Sequence, residues 1–312
     1  TTIQTESSSD LLLEPKQMAP ELIPGGEWIN SEPLTLEGLR GKVVLIDFWT
    51  YSCINCQRTF PYLRTWWEKY EDDGLVIIGV HAPEFEFEKD LGNVQEAVND
   101  FELKYPIVQD NKFATWRAYS NRYWPAKYLV DANGYIRYAH FGEGKYDETE
   151  QAIQELLKEA NTLKDKEVIN NPDYDITSRT PETYLGYARI DNLVSPETIT
   201  RDEIQTYSAP SELNLNEFAF TGQWEITREY AQPQVGASLE FNFYSKDVFL
   251  VMNPVDETSG LVKVYLDDQF IQNVTVDSDS LYQLIGLENP GQHLLRLEFQ
   301  DSNIKAYAFT FG

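Results

Sequence analysis

The chain has 312 residues, of which 42% are hydrophobic and 13% aromatic, and it carries a formal net charge of −26 at pH 7. This length and composition predict two domains with substantial cores and argue against disorder. The acidic balance disfavours nucleic-acid binding and docking to anionic lipid, because both need a basic surface.

The N-terminal stretch TTIQTESSSD has neither a basic start nor an apolar core, so it lacks the features of a signal peptide. We predict a flexible linker over residues 1–17, as expected if a leader or a membrane-embedded portion had been removed upstream. No apolar run in the sequence approaches the roughly 18 to 20 residues that a membrane helix needs.

From residue 18 the sequence alternates strand-like and helix-like segments. Continuous apolar runs predict buried strands, and apolar residues at helical spacing predict helices. The predicted strands are KVVLIDFW, GLVIIGVHA, YPIVQD, AKYLVD and YIRYAHFG, and the predicted helices are CINCQRTFPYLRTWWEKY, NVQEAVNDFELKY, FATWRAYS and ETEQAIQELLKEANTL. The alternation ends in a hairpin with the turn ANG, and it predicts an α/β domain over residues 18–165.

The composition and the periodicity of the sequence change after this domain. Residues 166–205 are polar, contain several prolines and lack sustained periodicity, so we predict an interdomain linker. Beyond it, period-two alternation broken by turn residues predicts an antiparallel β-sandwich or jelly roll over residues 206–312. The alternating segments are FAFTGQWEITREY, ASLEFNFYS, DVFLVMN, LVKVYLDDQF, LYQLIGL, HLLRLEFQ and KAYAFTFG.

The only two cysteines, Cys53 and Cys56, lie in the stretch DFWTYSCINCQRTFPYL. They follow a predicted buried strand and begin a predicted helix. Free N–H groups and the positive end of the helix dipole therefore point at Cys53 and stabilise its thiolate. Cys56 lies one turn later on the same face, within bonding reach. This placement predicts that Cys53 is the exposed nucleophile and Cys56 the resolving thiol of a redox pair.

Two other interpretations of the cysteine pair stay open. A structural disulfide across so short a loop constrains little of the unfolded chain. A zinc site needs four ligands, and His81 is the one candidate for a third ligand among three scattered histidines. The residues favour redox chemistry, in which a Cys53–Cys56 disulfide is the redox group and no metal or other cofactor takes part.

Several motifs resemble a known family. DFWTYSCINC and RYWPAKYLVD resemble the signature and the cis-proline loop of thioredoxin-fold proteins, and GVHAPEFEFEKDLGNV is similar to the insert of the extracytoplasmic TlpA-like branch. Together with the terminal YAFTFG, they resemble the soluble C-terminal region of DipZ-type proteins, over nearly all of residues 18–312. The resemblance implies a thioredoxin fold followed by an all-β sandwich of the carbohydrate-binding-module kind.

The resemblance also implies roles for individual residues. Asp47 matches the buried acid that accepts the proton of Cys56, although an acid at a strand end can also be purely structural. Pro125 matches the cis-proline, which lets the backbone of Trp124 pair with substrate as an added strand. Trp49 belongs to the signature and is the third candidate for substrate binding.

Departures from the family pattern lie close to the cysteines. Many TlpA-like proteins have an acid where this chain has Thr59, so that proton relay is absent here. The dipeptide between the cysteines is Ile54-Asn55, which leaves the reduction potential open. His81 and Glu84 follow the second predicted strand and are candidates to lie near the site.

The resemblance implies an extracytoplasmic thiol–disulfide oxidoreductase, periplasmic or at the cell surface and tethered to the membrane in the full-length protein. We predict that it reduces protein disulfides with electrons from a membrane protein or domain of the DsbD/CcdA type. One alternative is a disulfide oxidase or isomerase that uses the same site. Another is a surface glycan-binding protein with a scaffold thioredoxin-like half. The candidate sugar-stacking residues of its β-sandwich are Trp224, Tyr230, Tyr244 and Tyr282.

Overall fold

The structure is a computed structural model that describes residues 11–14, 17–164, 167–168, 178–256 and 258–312. The chain divides into two compact units, Thr1–Tyr174 and Asp175–Gly312. Most of the predicted N-terminal linker and much of the first part of the predicted interdomain linker lie outside the described residues. Within the described ranges, no helix combines the length and the apolar character needed to cross a membrane.

The first unit contains a seven-stranded mixed sheet with the thioredoxin fold. The strands lie in the order β1-β7-β6-β3-β4-β5-β2, in which β3, β4 and β5 run parallel and the other pairs antiparallel. They are β1 (Gln17–Met18), β2 (Trp28–Ile29), β3 (Val43–Trp49), β4 (Leu75–His81), β5 (Ile107–Gln109), β6 (Ala126–Val130) and β7 (Tyr135–Phe141). The predicted hairpin is present between β6 and β7, where Gly134 takes the positive φ that its turn requires.

Helices cover both faces of this sheet. They are α1 (Ile54–Tyr70), α2 (Leu91–Asp100), α3 (Ala114–Ala118) and α4 (Tyr146–Glu159). Side chains of α1, α2 and α4 share one core with Val43, Leu45 and Trp49 of β3. The alternate residues of β3 lie in a second core on the opposite face. Strand alternation therefore directs Asp47 to the face that α1 covers.

The second unit is a nine-stranded antiparallel β-sandwich. Its strands are β8 (Thr183–Tyr184), β9 (Ile204–Tyr207), β10 (Phe218–Ile226), β11 (Ala231–Pro233), β12 (Ser238–Pro254), β13 (Gly260–Leu266), β14 (Gln269–Val276), β15 (Ser280–Phe299) and β16 (Ile304–Phe311). They lie in the order β14-β13-β15-β12-β10-β11-β16-β8, with β9 beside β10. Alternate side chains of these strands fill a single core.

Two strands are longer than the sequence pattern predicts. ASLEFNFYS and DVFLVMN form one strand, β12, and LYQLIGL and HLLRLEFQ form one strand, β15. A bulge between Ser245 and Asp247 lets β12 continue through the apparent break. The first part of β12 pairs with β10 and the last part pairs with β16, so that one strand serves both layers.

Part of the predicted interdomain linker packs into the second unit. β8 pairs with β16 at Tyr184 and Ala308, and Leu185 is fully buried in the core of the sandwich. Leu193 forms a bridge with Phe218 at the start of β10. These residues lack regular periodicity because they cross the sandwich in short extended pieces. Part of the predicted linker, residues 166–205, therefore buries apolar side chains in the second unit.

Candidate functional site

Cys53 sits at the junction between β3 and α1. It is the N-cap residue of α1 with extended backbone, and its Sγ accepts a hydrogen bond from the backbone N–H of Cys56 at 3.3 Å. Its carbonyl accepts from the N–H groups of Cys56 and Gln57. The side chain is half-buried. The helix start therefore offers its unpaired N–H groups and its dipole to a sulfur that solvent can reach.

Cys56 lies in the opposite environment, one turn into α1. Its side chain is fully buried in the core beneath the helix. Burial raises the pKa of the Cys56 thiol well above its ordinary value, and the neighbouring Cys53 and the charge of Asp47 raise it further. Cys56 therefore needs a base close by before it can act as a nucleophile.

Asp47 and Lys127 form a buried ion pair on the same face of the sheet as α1. The antiparallel register of β3 and β6 places them opposite each other, with Lys127 Nζ 3.8 Å from Asp47 Oδ1 and both side chains fully buried. Burial raises the pKa of Asp47 to about 6, and the Lys127 ammonium opposes that rise. At neutral pH, Asp47 is therefore mostly ionised and able to accept a proton.

Lys127 is not among the site residues predicted from the sequence, although the sequence contains a signal for it. A lysine inside the apolar strand AKYLVD and an aspartate inside VVLIDFW are both charges that burial would penalise. Opposite charges in two neighbouring buried strands are expected to pair.

Thr59 is also buried, and its hydroxyl donates to the Cys56 carbonyl at 2.8 Å.

Trp124 and Pro125 lie just before β6, at the end of the sheet where β3 ends. The Trp124–Pro125 peptide is cis, as predicted, and Ala126 follows it opposite Phe48, near the end of β3. The partly buried Trp124 ring donates from Nε1 to the Ala82 carbonyl at 3.0 Å. The loop before β6 therefore borders the same end of the sheet as Cys53.

Trp49 occupies a different environment from Trp124. Its side chain is fully buried, and its ring packs edge-on against Phe60 and His81. A side chain in this position supports the end of β3 and offers no surface to a protein substrate, so we do not retain it among the substrate-binding candidates.

A second polar cluster, made of Thr50, Ser52, His81 and Glu88, is buried beside the cysteines. Ser52 donates from its hydroxyl to Glu88 Oε1 at 2.5 Å, and Thr50 Oγ1 lies 3.4 Å from His81 Nε2. Burial lowers the pKa of His81 to about 3, so its ring is neutral at physiological pH. Of these four residues, His81 was a candidate from the sequence and Glu88 was not.

Within the described part of the chain, no group of three or more His, Cys, Asp or Glu side chains is arranged to hold a metal ion. His81 instead stacks on Tyr51 and contacts Trp49 edge-on. Its surroundings are those of a core histidine.

The aromatic candidates of the second unit are spread over different environments. Trp224 is fully buried against Phe220 and Phe299, so it belongs to the core. Tyr244 lies under the Arg179 guanidinium, and the Tyr282 hydroxyl accepts from the backbone N–H of Ser278. Tyr230 packs against the Tyr307 ring, so each of the four side chains has different partners. Asp267 and Asp268 form the turn between β13 and β14, both with positive φ.

Comparison with known families divides the chain in the same two parts. Residues 17–139 match the AhpC/TSA family, and residues 180–312 match the family described as the thioredoxin-like C-terminal domain. The second match begins within the predicted linker, close to the strand β8.

Individual relatives cover the chain to different extents. Protein DipZ of Mycobacterium tuberculosis is 36% identical over 308 residues, which are 96% of this chain and 44% of DipZ, so the chain spans less than half of that relative. The thiol–disulfide oxidoreductase YkuV of Bacillus subtilis is 33% identical over 145 residues, 46% of this chain and 97% of YkuV. The solution structure of a thioredoxin-like protein in the oxidised form is 32% identical, with 47% of this chain and 99% of that one covered and a TM-score of 0.44.

Proposed function

The chain belongs to the thioredoxin-like thiol–disulfide oxidoreductases, and from this premise we propose that it reduces protein disulfides outside the cytoplasm through a Cys53–Cys56 dithiol. One observation carries the proposal. The two cysteines share the start of α1, yet Cys53 is half-buried and Cys56 is fully buried. Such an asymmetric pair suits a reaction in which one thiol meets the substrate and the other resolves the product.

In the first step, the Cys53 thiolate attacks one sulfur of a substrate disulfide. The substrate S–S bond breaks, a mixed disulfide forms between Cys53 and the substrate, and the departing thiolate takes up a proton. The Cys56 N–H and the start of α1 stabilise negative charge on Cys53 before the attack. Cys56 is out of reach of a protein substrate because it is fully buried.

In the second step, Cys56 loses its proton to the Asp47 carboxylate and attacks Cys53 Sγ. The mixed disulfide breaks, the substrate leaves as a dithiol, and Cys53 and Cys56 are left oxidised as a disulfide, so that two electrons have moved to the substrate. Asp47 suits this role because its pKa of about 6 keeps it ionised near neutral pH and still basic enough to accept a proton. Lys127 keeps the ionised form accessible in a buried site.

We propose that Trp124 and Pro125 form the substrate-binding edge. The loop ends where β6 begins, beside the end of β3, so an extended substrate segment can lie along it as an added strand. The Trp124 side chain is held by its bond to the Ala82 carbonyl, which leaves its backbone to face the substrate.

The direction of electron flow is part of the same proposal. A couple becomes oxidising when its reduced form is stabilised. Here the raised pKa of Cys56 keeps this thiol protonated, so no buried thiolate adds stability to the reduced form, and the reducing direction rests on the resemblance to DipZ-type proteins. Extracytoplasmic location, membrane tethering and a membrane electron donor of the DsbD/CcdA type are further proposals, and they rest on the resemblance to DipZ-type proteins.

Two measurements test this function. Equilibration of the Cys53–Cys56 couple with dithiol buffers should give a reduction potential near the roughly −270 mV of thioredoxin, whereas a value above about −180 mV would favour the oxidase or isomerase alternative. The Cys56→Ser variant should accumulate mixed disulfides with a disulfide substrate, and the Cys53→Ser variant should accumulate none. Equal accumulation in both variants would refute the assignment of the nucleophile.

A further inference from the structure

Glu88 is a fully buried carboxylic acid that the proposed reaction does not use. It lies in the loop after β4, residues 82–90, which we call the acidic loop. One of its oxygens, Oε2, accepts hydrogen bonds from the backbone N–H groups of Glu84 and Phe85 in that loop. The other oxygen, Oε1, accepts from the hydroxyl of Ser52, the residue before Cys53. Glu88 therefore joins the acidic loop to the turn that carries the nucleophile.

The turn that carries Cys53, residues 50–53, which we call the cysteine loop, is also held by bonds close to it in sequence. The Tyr51 carbonyl accepts from Gln57 Nε2 of α1 at 2.7 Å, and the Cys53 N–H donates to the Thr50 carbonyl at 3.4 Å. Both of these bonds stay within the cysteine loop and the helix that follows it. The Ser52–Glu88 bond instead ties Ser52 to a different element, 36 residues away. Thr50 of the same loop also hydrogen-bonds Glu88, and its hydroxyl lies 3.4 Å from His81 Nε2 of β4.

We propose that Glu88 is a positioning residue for Cys53, which acts through Ser52 to hold the thiol at the start of α1. The inference deepens the proposed function, on which it rests, because it concerns the same thiol. Cys53 accepts the Cys56 N–H only while it stays at the N-cap. A cysteine loop without the Ser52 anchor can move, and Cys53 then loses the N–H group and the helix dipole that stabilise its thiolate.

The protonation state of Glu88 changes the strength of this anchor. Burial raises the pKa of Glu88 to about 7, and the charge of Glu84 raises it as well, so both forms are present near neutral pH. The carboxylate accepts from all its donors with charge-assisted bonds, whereas the protonated form gives up acceptor capacity. His81, which reaches the cluster from β4 through Thr50, stays neutral over this range. The anchor is therefore strongest above about pH 7.

The test measures alkylation of Cys53 by iodoacetamide against pH, in full-length chains that carry Cys56→Ser so that one thiol reacts. Glu88→Gln and Ser52→Ala should each slow alkylation about fivefold above pH 7, with a smaller effect below it, because Glu88→Gln removes the charge from the anchoring bond and Ser52→Ala removes the bond itself. The double variant should be no slower than Glu88→Gln alone, since Ser52 acts through Glu88. Rates are taken per folded molecule.

Glu150→Gln is the matched control. Glu150 is also a buried acid of the first unit, and it accepts from Lys69 and Tyr70. Those two residues end the 17-residue helix α1, so they lie about 25 Å from Cys53 along the helix. This variant should lower the melting temperature and leave the pH profile of Cys53 alkylation unchanged.

Three outcomes would overturn the inference. Unchanged profiles in Glu88→Gln and Ser52→Ala would show that the bond is structural only. Multiplied effects in the double variant would show that the two residues act separately. Faster alkylation in Glu88→Gln would show that Glu88 acts through its charge and not by position. If Glu88→Gln does not fold, Ser52→Ala decides alone. Alkylation needs no disulfide substrate. A wild-type chain without oxidoreductase activity would therefore refute the proposed function, while the alkylation rates would still test the role of Glu88.

Discussion

Replacing Asp47 by asparagine should stabilise the first unit above about pH 6 and leave its stability unchanged below about pH 4. The reason is that Asp47 is fully buried and its pKa is raised from the ordinary 3.8 to about 6. An acid whose pKa is higher in the folded state favours folding most when it is protonated. Stability is therefore lost as the pH rises from 3.8 to about 6, and asparagine, which resembles the protonated acid, avoids that loss.

The size of the effect follows from the difference between the two pKa values. The folded value lies roughly two pH units above the ordinary one, and each unit corresponds to about 1.4 kcal/mol, so the variant should gain about 3 kcal/mol in free energy of unfolding at high pH. Lys127 does not reverse this comparison. Its ammonium lies beside a neutral group both in the variant and in the protonated wild type, so its burial penalty is common to both.

The assay must report on the first unit alone, because a two-domain chain need not unfold in a single step. Labelling of Cys56 by a thiol reagent provides such a probe in a Cys53→Ser background, since Cys56 is fully buried and becomes reactive when the first unit opens. Short labelling pulses over a series of urea concentrations give the free energy of unfolding at each pH. The chain that keeps Asp47 and the Asp47→Asn variant are both measured from about pH 3 to pH 8.

The difference between the two chains should open between about pH 4 and pH 6 and then stay constant. A difference that is the same at every pH would refute the reasoning, because it would mean that Asp47 titrates alike in the folded and unfolded states. If Asp47→Asn instead lowers the stability at high pH, the ion pair with Lys127 stabilises ionised Asp47 by more free energy than its burial costs.

Two further predictions concern Lys127 and the second unit. Lys127→Met should raise the pKa of Asp47 by about one pH unit or more, because it removes the charge that opposes the effect of burial, and resolution of the mixed disulfide at pH 7 should slow accordingly. An NMR titration of the Asp47 carboxyl checks this, and an unchanged midpoint would contradict it. Gly186→Ala should destabilise the second unit by roughly 1–3 kcal/mol, because the new Cβ would lie 2.3 Å from the backbone carbonyl carbon of Glu229. Calorimetry measures that loss, and the Cys53–Cys56 potential should stay the same; a shifted potential would mean that the sandwich influences the redox site.

Much of the fold and the core of the site are predictable from sequence because they depend on local patterns. The apolar run of β3 and the helical spacing of α1 predict both elements, and their junction predicts that Cys53 begins the helix. The cis peptide before Pro125 was also predictable, although through family resemblance and not through periodicity. Each of these features is encoded within a short stretch of sequence.

The full length of the long strands in the second unit cannot be predicted from local sequence patterns. The break in alternation near Ser245 looks like the end of a strand, but in the structure it is a bulge in the middle of β12. Whether a polar interruption ends a strand or kinks it depends on the partners on both sides, here β15 and β16. Those partners are distant in sequence.

The chemistry of this protein is encoded locally, since two cysteines at a strand–helix junction define a dithiol site. The charges that surround this site depend on the folded chain. Glu84, Glu86 and Glu88 alternate in PEFEFEKD and look alike, yet only Glu88 is fully buried, because the 3₁₀ turn over Glu86–Lys89 directs it toward Ser52. Asp47 and Lys127 become partners only through the register of β3 and β6, which joins strands about 80 residues apart. The pKa of an ionisable side chain depends on its burial and its neighbours, and these exist only after the chain has folded.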